Sequence, residues 1–132
     1  YVNHWLELGK QADESKLPKI FQVNWFRRDD EDGSYLWPGF GDNARVLKWV
    51  VERLDGRADA VETPVGLVPT PGSIDTTGLD MTDEQVAKAL AVNLDDWRAE
   101  LPLIDEWFAK FGDALPTQMA DELATLKARL EP

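Results

Sequence analysis

The sequence predicts an α+β fold: a few short strands with a Pro/Gly-rich ribbon, followed by a mainly helical C-terminal half. Three features predict it. A β-branched and aromatic run, Ile20, Phe21, Val23, Trp25 and Phe26, stands behind Pro18. Pro64, Pro69, Pro71, Gly66, Gly72 and Gly78 crowd the segment from Ala60 to Asp80. Beyond Thr82, apolar residues recur at helical spacing behind capping residues. Strands precede helices instead of alternating with them, which argues against a parallel βαβ unit.

The elements follow in order. His4-Trp5-Leu6-Glu7-Leu8 reads as the end of a helix stopped by Gly9, with a polar connector through Ser15. Leu17 to Phe26 reads as a strand buried on much of both faces. Asp29-Asp30-Glu31-Asp32-Gly33 turns the chain, and Tyr35-Leu36-Trp37-Pro38 returns it in an extended path, because the residue before a proline avoids helical geometry. After the glycines at 39 and 41, Asp42 or Asn43 caps a helix carrying Val46, Leu47, Val50, Val51 and Leu54, which Gly56 ends. The Pro/Gly-rich segment then forms an ordered loop or ribbon with at most short strand pairs. Thr82 and Gln85 make a capping box for a short helix with Val86, Ala89 and Leu90. Asn93 caps the next, with Asp95 and Asp96 at its positive end and Trp97, Leu101, Ile104, Phe108 and Phe111 in one stripe across Pro102. Gly112 stops that helix, and Pro116 opens a last one with Met119, Leu123, Leu126 and Leu130 on one face. The organisation expected is one domain-sized segment in three parts: residues 1–56, 57–81 and 82–132.

Composition narrows function. With 132 residues, 43% apolar and 30% charged, the chain has the make-up of one modest globular domain. Fourteen Lys and Arg against 25 Asp and Glu repel a polyphosphate backbone, so nucleic acid is not an expected partner, and six Trp without a basic groove make no single-strand platform. The absence of cysteine excludes disulfides and thiolate chemistry and fits a reducing cytoplasm. No apolar run reaches the roughly 20 residues of a membrane span, so no membrane is expected. The chain starts at Tyr1 in patterned sequence without a methionine, as an excised segment of a longer chain would.

Few residues carry chemistry. The only histidine, His4, lies near one end, so neither acid–base catalysis nor a relay through Ser34 or Ser73 has a base in a useful place. The acidic run at 29–32 lacks the alternating spacing of a calcium loop and is better read as a solvated turn. Pro38-Gly39-Phe40-Gly41-Asp42-Asn43 enters a helix as a phosphate loop does, but it has no Lys-Ser/Thr pair, and Asp42 would oppose a phosphate. The loop is better made for a neutral flat base: Phe26, Tyr35 and Phe40 flank it, and Asn43 offers an acceptor and donors to a base edge. By residue type and spacing alone, aromatics near a strand end and a turn are more often core.

The run Leu17-Pro18-Lys19-Ile20-Phe21, Val23-Asn24-Trp25-Phe26-Arg27, Leu36-Trp37-Pro38-Gly39-Phe40-Gly41, Asn43 and Arg45-Val46-Leu47 resembles the C-terminal region of the GTP-dependent phosphoenolpyruvate carboxykinases. The likeness takes in His4-Trp5-Leu6 and, more loosely, Glu62-Thr63-Pro64-Val65-Gly66 and the neighbourhood of Gly78-Leu79. It implies a fragment of a larger α/β enzyme, a cytoplasmic, monomeric carboxy-lyase of gluconeogenesis. Such an enzyme converts oxaloacetate and GTP to phosphoenolpyruvate, GDP and carbon dioxide with Mn²⁺, or Mg²⁺, between substrate and nucleotide. The resemblance also implies that Phe26 and Phe40 sandwich guanine, that Tyr35 borders it, and that Asn43, in the turn with Gly41 and Asp42, reads its edge. Tyr35 stands where phenylalanine is usual, Asp42 replaces a common glutamate, and the acidic turn is slightly longer. The family's phosphate loop, metal ligands, substrate arginines and lid have no counterpart here. They are expected upstream, in a missing N-terminal body, so no catalytic residue or metal ligand is assigned to this chain, which is expected to be inactive alone. The alternative is an acidic helical interaction module in which Phe26 and Phe40 are buried core; the carboxykinase reading leaves them partly exposed. Surfaces around Ile20, Trp37 and Trp49 are expected to be exposed wherever they packed on that missing body.

Overall fold

The computed structural model describes residues 1–131. It divides into two compact units, a helical unit of residues 1–20 and 93–131 and a hairpin unit of residues 21–92.

In the helical unit, α1 spans Val2–Gln11. It runs through Gly9 where the sequence predicted a stop, because Gly9 keeps a negative φ and so does not leave the helical path. Helix α4 (Leu94–Ala109) starts where expected: Asn93 Oδ1 accepts the Asp95 N–H at 3.0 Å, and Asp95 and Asp96 sit against the positive end of the helix. It continues across Pro102 but ends at Ala109, ahead of the expected stop at Gly112, leaving Trp97, Leu101, Ile104 and Phe108 half-buried and Phe111, beyond the helix, exposed. Helix α5 (Thr117–Leu130) follows Pro116 and packs on α4 with Leu123 and Leu130 buried. Arg98 of α4 donates to the Leu130 carbonyl at 2.8 Å, satisfying one of the carbonyls a helix end leaves free, and Lys127 pairs with Asp105 at 2.7 Å.

The expected strand over Leu17–Phe26, whose first four residues belong to the helical unit and the rest to the hairpin unit, does not form: its residues lie in irregular chain and, apart from half-buried Leu17 and Trp25, are exposed. A β-branched, aromatic run becomes a strand only when a neighbouring strand takes up its backbone hydrogen bonds, and none lies beside it among the described residues. The turn and return are present: Arg28 pairs with Tyr35 in an isolated antiparallel bridge. Helix α2 (Asn43–Leu54) ends at Gly56, whose φ of 70° is the left-handed value that favours glycine. Its buried side chain is Trp49, 5% exposed, where exposure was expected. Trp49 is the largest apolar side chain on α2 and takes the edge of Phe21 at 6.2 Å, so turning that ring inward removes more apolar area than burying any valine of the helix. Leu47, Val51 and Leu54 are left on the outside. The other two expectations of exposure divide, Ile20 being exposed and Trp37 half-buried. The Pro/Gly-rich segment forms a hairpin, β1 (Ala60–Thr63) antiparallel to β2 (Gly66–Pro69), in register Ala60 to Pro69. Helix α3 (Asp83–Leu90) carries the predicted capping box complete, with Thr82 N–H to Gln85 Oε1 at 2.8 Å and Gln85 N–H to Thr82 Oγ1 at 3.2 Å.

Candidate functional site

The candidate residues all lie in the hairpin unit, on two pieces of backbone that short-range bonding makes rigid. The first is the turn. Asp29 N–H donates to the Ser34 carbonyl at 2.8 Å, Leu36 N–H to Arg27 at 2.9 Å and Gly33 N–H to Asp29 at 2.9 Å. Within it, residues alternate in direction, as extended chain requires. Arg27 and Asp29 turn inward to α3: the Arg27 guanidinium donates to the Ala89 and Ala91 carbonyls at the helix's negative end, and the Asp29 carboxylate pairs with Lys88 at 2.7 Å. The Lys88 ammonium, helped by the Glu31 N–H, holds the Asp29 carboxyl below the usual carboxylate range.

Phe26, Arg28 and Tyr35 take the other, exposed side. Phe26 is 74% exposed and meets the Tyr35 ring at 6.2 Å between centroids and 65° between planes. The guanidinium carbon of Arg28 stands 4.3 Å from the Tyr35 centroid, and its nitrogens donate to the Tyr35 hydroxyl and the Gly33 carbonyl, both at 2.8 Å. The hydroxyl at position 35 thus has its partner in Arg28.

The second piece is the entry to α2. Gly39 has φ 117° and ψ −160°, a region open essentially to glycine alone, and this bend throws the next side chain outward. Phe40 is accordingly 94% exposed and makes no ring–ring contact among the described residues. Phe40, Gly41 and Asp42 form one turn of 3-10 helix, closed by Asp42 N–H to Gly39 at 3.1 Å and by Asn43 N–H to Phe40. Asp42 stands at the N-cap position of α2, as expected, but makes no side-chain capping bond; its carboxylate accepts from Arg45 Nε at 3.0 Å. Arg45 also donates to the Asp75 carbonyl at 2.8 Å, and Lys48 pairs with the Asp75 carboxylate at 3.0 Å, tying the loop after β2 to α2. Asn43, at the head of α2, accepts the Trp37 indole N–H at 3.0 Å in a half-buried contact.

The structure therefore joins Phe26 to Tyr35, Asp42 to Arg45 and Asn43 to Trp37, while Phe40 and Gly41 stand on the adjoining turn. Arg28 and Trp37 were not among the residues predicted. An antiparallel return from the acidic turn places position 28 opposite 35, a signal that could have found Arg28; the partner of Trp37 depends on the turn at 39–42 and has no local signature. Exposed ring faces beside a fixed carboxamide can receive a flat heterocycle by stacking and edge bonding. Among the described residues no three His, Asp or Glu side chains converge as metal ligands, and no helix is long and apolar enough to cross a membrane.

Residues 1–129 match the family described as phosphoenolpyruvate carboxykinase C-terminal P-loop domain. Proteins named phosphoenolpyruvate carboxykinase (GTP) are similar along almost the whole chain: that of Renibacterium salmoninarum is 57% identical over 130 residues, and that of Paenarthrobacter aurescens 58% over 130. The protein of that name from Treponema pallidum is 47% identical over 131 residues. Each alignment takes in 98% of this chain and 21% of the relative, so the chain spans about a fifth of the length of these relatives.

Proposed function

The chain belongs to the GTP-dependent phosphoenolpyruvate carboxykinase family, and from this we propose that it supplies the guanine pocket of such an enzyme. The observation that carries the proposal is the exposure of Phe26 and Phe40, two large apolar rings that the hairpin unit leaves in solvent while it buries Trp49 and Ile74. Rings serving as core, as in an interaction module, would be on the inside.

In this reading Phe26 and Phe40 stack on the two faces of the base, Tyr35 borders it, and Asn43, in the turn with Gly41 and Asp42, reads its edge. One Tyr35 face is already taken by Arg28, which suits a bordering role better than a stacking one. Stacking contributes about 1–3 kcal/mol per base and is indifferent to base identity, so selection of guanine falls to the hydrogen bonds. Arg45 and Lys48, the cations nearest the turn at 40–42, are engaged by Asp42 and Asp75, so the turn offers no free cation to a phosphate, which points the triphosphate toward cationic groups elsewhere in the enzyme.

The whole enzyme's reaction, oxaloacetate and GTP to phosphoenolpyruvate, GDP and carbon dioxide, needs groups outside these residues. Mn²⁺ or Mg²⁺ would supply charge neutralisation at the transferred phosphoryl group. The described residues do not fit such an ion, having no converging ligand set, so its ligands belong to the N-terminal body of the enzyme, as do the substrate-binding groups. A cytoplasmic location completes the reading.

Calorimetric titration of the full-length protein with GDP and with ADP tests it. GDP is expected to bind at least about tenfold tighter, and Phe40→Ala to weaken both nucleotides together. Equal affinities, or a Phe40→Ala protein that binds as the parent does, would overturn it.

A further inference from the structure

The Trp37 indole is a hydrogen-bond donor and nothing else, and among the described residues its one polar contact is to Asn43 Oδ1 at 3.0 Å. An asparagine carboxamide has an acceptor end and a donor end that are nearly the same shape, and a free one can turn over to present either pattern. Here it cannot turn: reversal would set the Nδ2 hydrogens against the indole N–H, donor against donor, in a half-buried site where an unmade bond is costly. Both ends of the contact are held. Trp37 lies between the bridge at Tyr35 and Pro38, and the Asn43 main chain is fixed by its N–H bond to Phe40.

We propose that Trp37 is the positioning residue that sets the base selectivity of the pocket, by locking Asn43 in the one orientation that matches guanine. This rests on the guanine-pocket reading above. With one Oδ1 lone pair on the indole, the other can accept from guanine N1–H while Nδ2 donates to O6. Adenine presents the inverse pattern, an acceptor at N1 and a donor at N6, which only the reversed amide could meet. Hypoxanthine shares the N1–H and O6 pair, so the lock admits it as readily as guanine.

The test is the ratio of kcat/KM for GTP to that for ATP in the full-length enzyme, with ITP as a third nucleotide. Trp37→Phe keeps an aromatic ring and removes the donor; replacing Trp37 with benzothienylalanine removes only the N–H and guards against a packing defect. Both are expected to lower the GTP/ATP ratio at least about tenfold, by raising KM for GTP and admitting ATP, with kcat at saturating GTP and the GTP/ITP ratio little changed. A GTP/ATP ratio within twofold of the parent in the benzothienylalanine protein overturns the proposal. So does a fall in kcat with GTP and ATP alike, which is what a merely structural tryptophan would produce. Asn43→Ala run in parallel separates the layers. If it destroys selectivity and the Trp37 replacements do not, only the lock fails; if it also leaves selectivity intact, Asn43 does not read the base, and the pocket assignment fails with the lock.

Discussion

Trp107 on α4 and Phe111 just past its end, and Phe26, Tyr35 and Phe40 in the hairpin unit, are all exposed aromatic rings, but they stand on different supports. Leu103 and Trp107 lie one turn apart on α4, and Phe111 follows in the turn just past its end, with Lys110 lying 4.8 Å from the Trp107 centroid. The backbone beneath them is spent on the helix's own hydrogen bonds, so the stripe can offer apolar area but no pattern of donors and acceptors. The rings of the hairpin unit stand at a turn and a helix entry, where Arg28 and Asn43 are fixed beside them with polar atoms directed by particular bonds. Area without pattern suits another apolar surface; rings beside oriented polar groups suit a small flat ligand. Exposure alone therefore does not distinguish the two roles, and the polar groups around the rings do.

The largest expected effect follows. Phe26→Ala and Phe40→Ala in the full-length protein should each weaken GDP binding by about 1–3 kcal/mol, or about five- to 150-fold. Trp107→Ala, which removes an even larger ring, should leave GDP affinity within about twofold. Calorimetric titration of the three variants reads this directly. A Trp107→Ala protein that loses affinity as the phenylalanine variants do would erase the functional distinction between the two groups of rings.

Next in size is a pair of glycines. Gly39 holds φ 117°, so Gly39→Ala should cost of order 1–3 kcal/mol and also misdirect Phe40. Gly9 lies inside α1 with negative φ and open space where a Cβ would go, so Gly9→Ala should gain about 0.5–1 kcal/mol. Thermal melts of both variants, with GDP affinity measured for Gly39→Ala, check the opposite signs. Destabilisation of similar size in both would mean that backbone geometry at residue 39 has no special role.

Those glycines also show where the sequence was legible. Thr82 with Gln85 and Asn93 with Asp95 announce helix starts because a cap is satisfied within three residues, Pro116 does so because its fixed φ suits a helix entry, and the structure has all three helices where these residues place them. The run from Ile20 to Phe26 misled because strand character depends on a partner that lies elsewhere in the chain, and Gly9 misled because a glycine stops a helix only if it turns left-handed. The aromatic residues of the candidate site were visible as residue types beside a turn. Their exposure was not, since rings near a strand end and a turn are more often core. Arg28 and Trp37 act through contacts across folded backbone, with Tyr35 and Asn43, and neither contact follows from helical or strand periodicity.

The smallest effect is on pH. Asp75 is held far below the ordinary carboxylate range, first by its bond from Lys48 and then by the Thr77 N–H, and Asp29 is lowered chiefly by Lys88. Both carboxylates tie loops of the hairpin unit to helices, Asp75 to α2 and Asp29 to α3. In the helical unit, lowered Asp13 bonds only to Ser15, two residues away, and ties nothing distant. A depressed carboxyl pKa means that the folded state binds protons more weakly than the unfolded one. The stability these groups contribute is therefore fully present above the unfolded value of about 3.9 and is lost as pH falls through the folded one. Acidification below about pH 4 should accordingly weaken the turn at 29–34 first and the loop at 75–77, whose carboxylate is the more strongly depressed, at lower pH still, both before α4 and α5 change. Amide resonances of Glu31, Ser34 and Thr77 in the full-length protein report the release, since the first and last donate to the carboxylates in question and Ser34 bonds to Asp32 in the same turn. Because the Lys48–Asp75 pair is solvent-exposed and Lys88 is exposed on its side of the Asp29 pair, the same release should come at higher pH in high salt, where screening weakens both pairs, the Asp75 pair more. Loss of α5 at the same pH would show that the carboxylate ties are not what distinguishes the two units in acid.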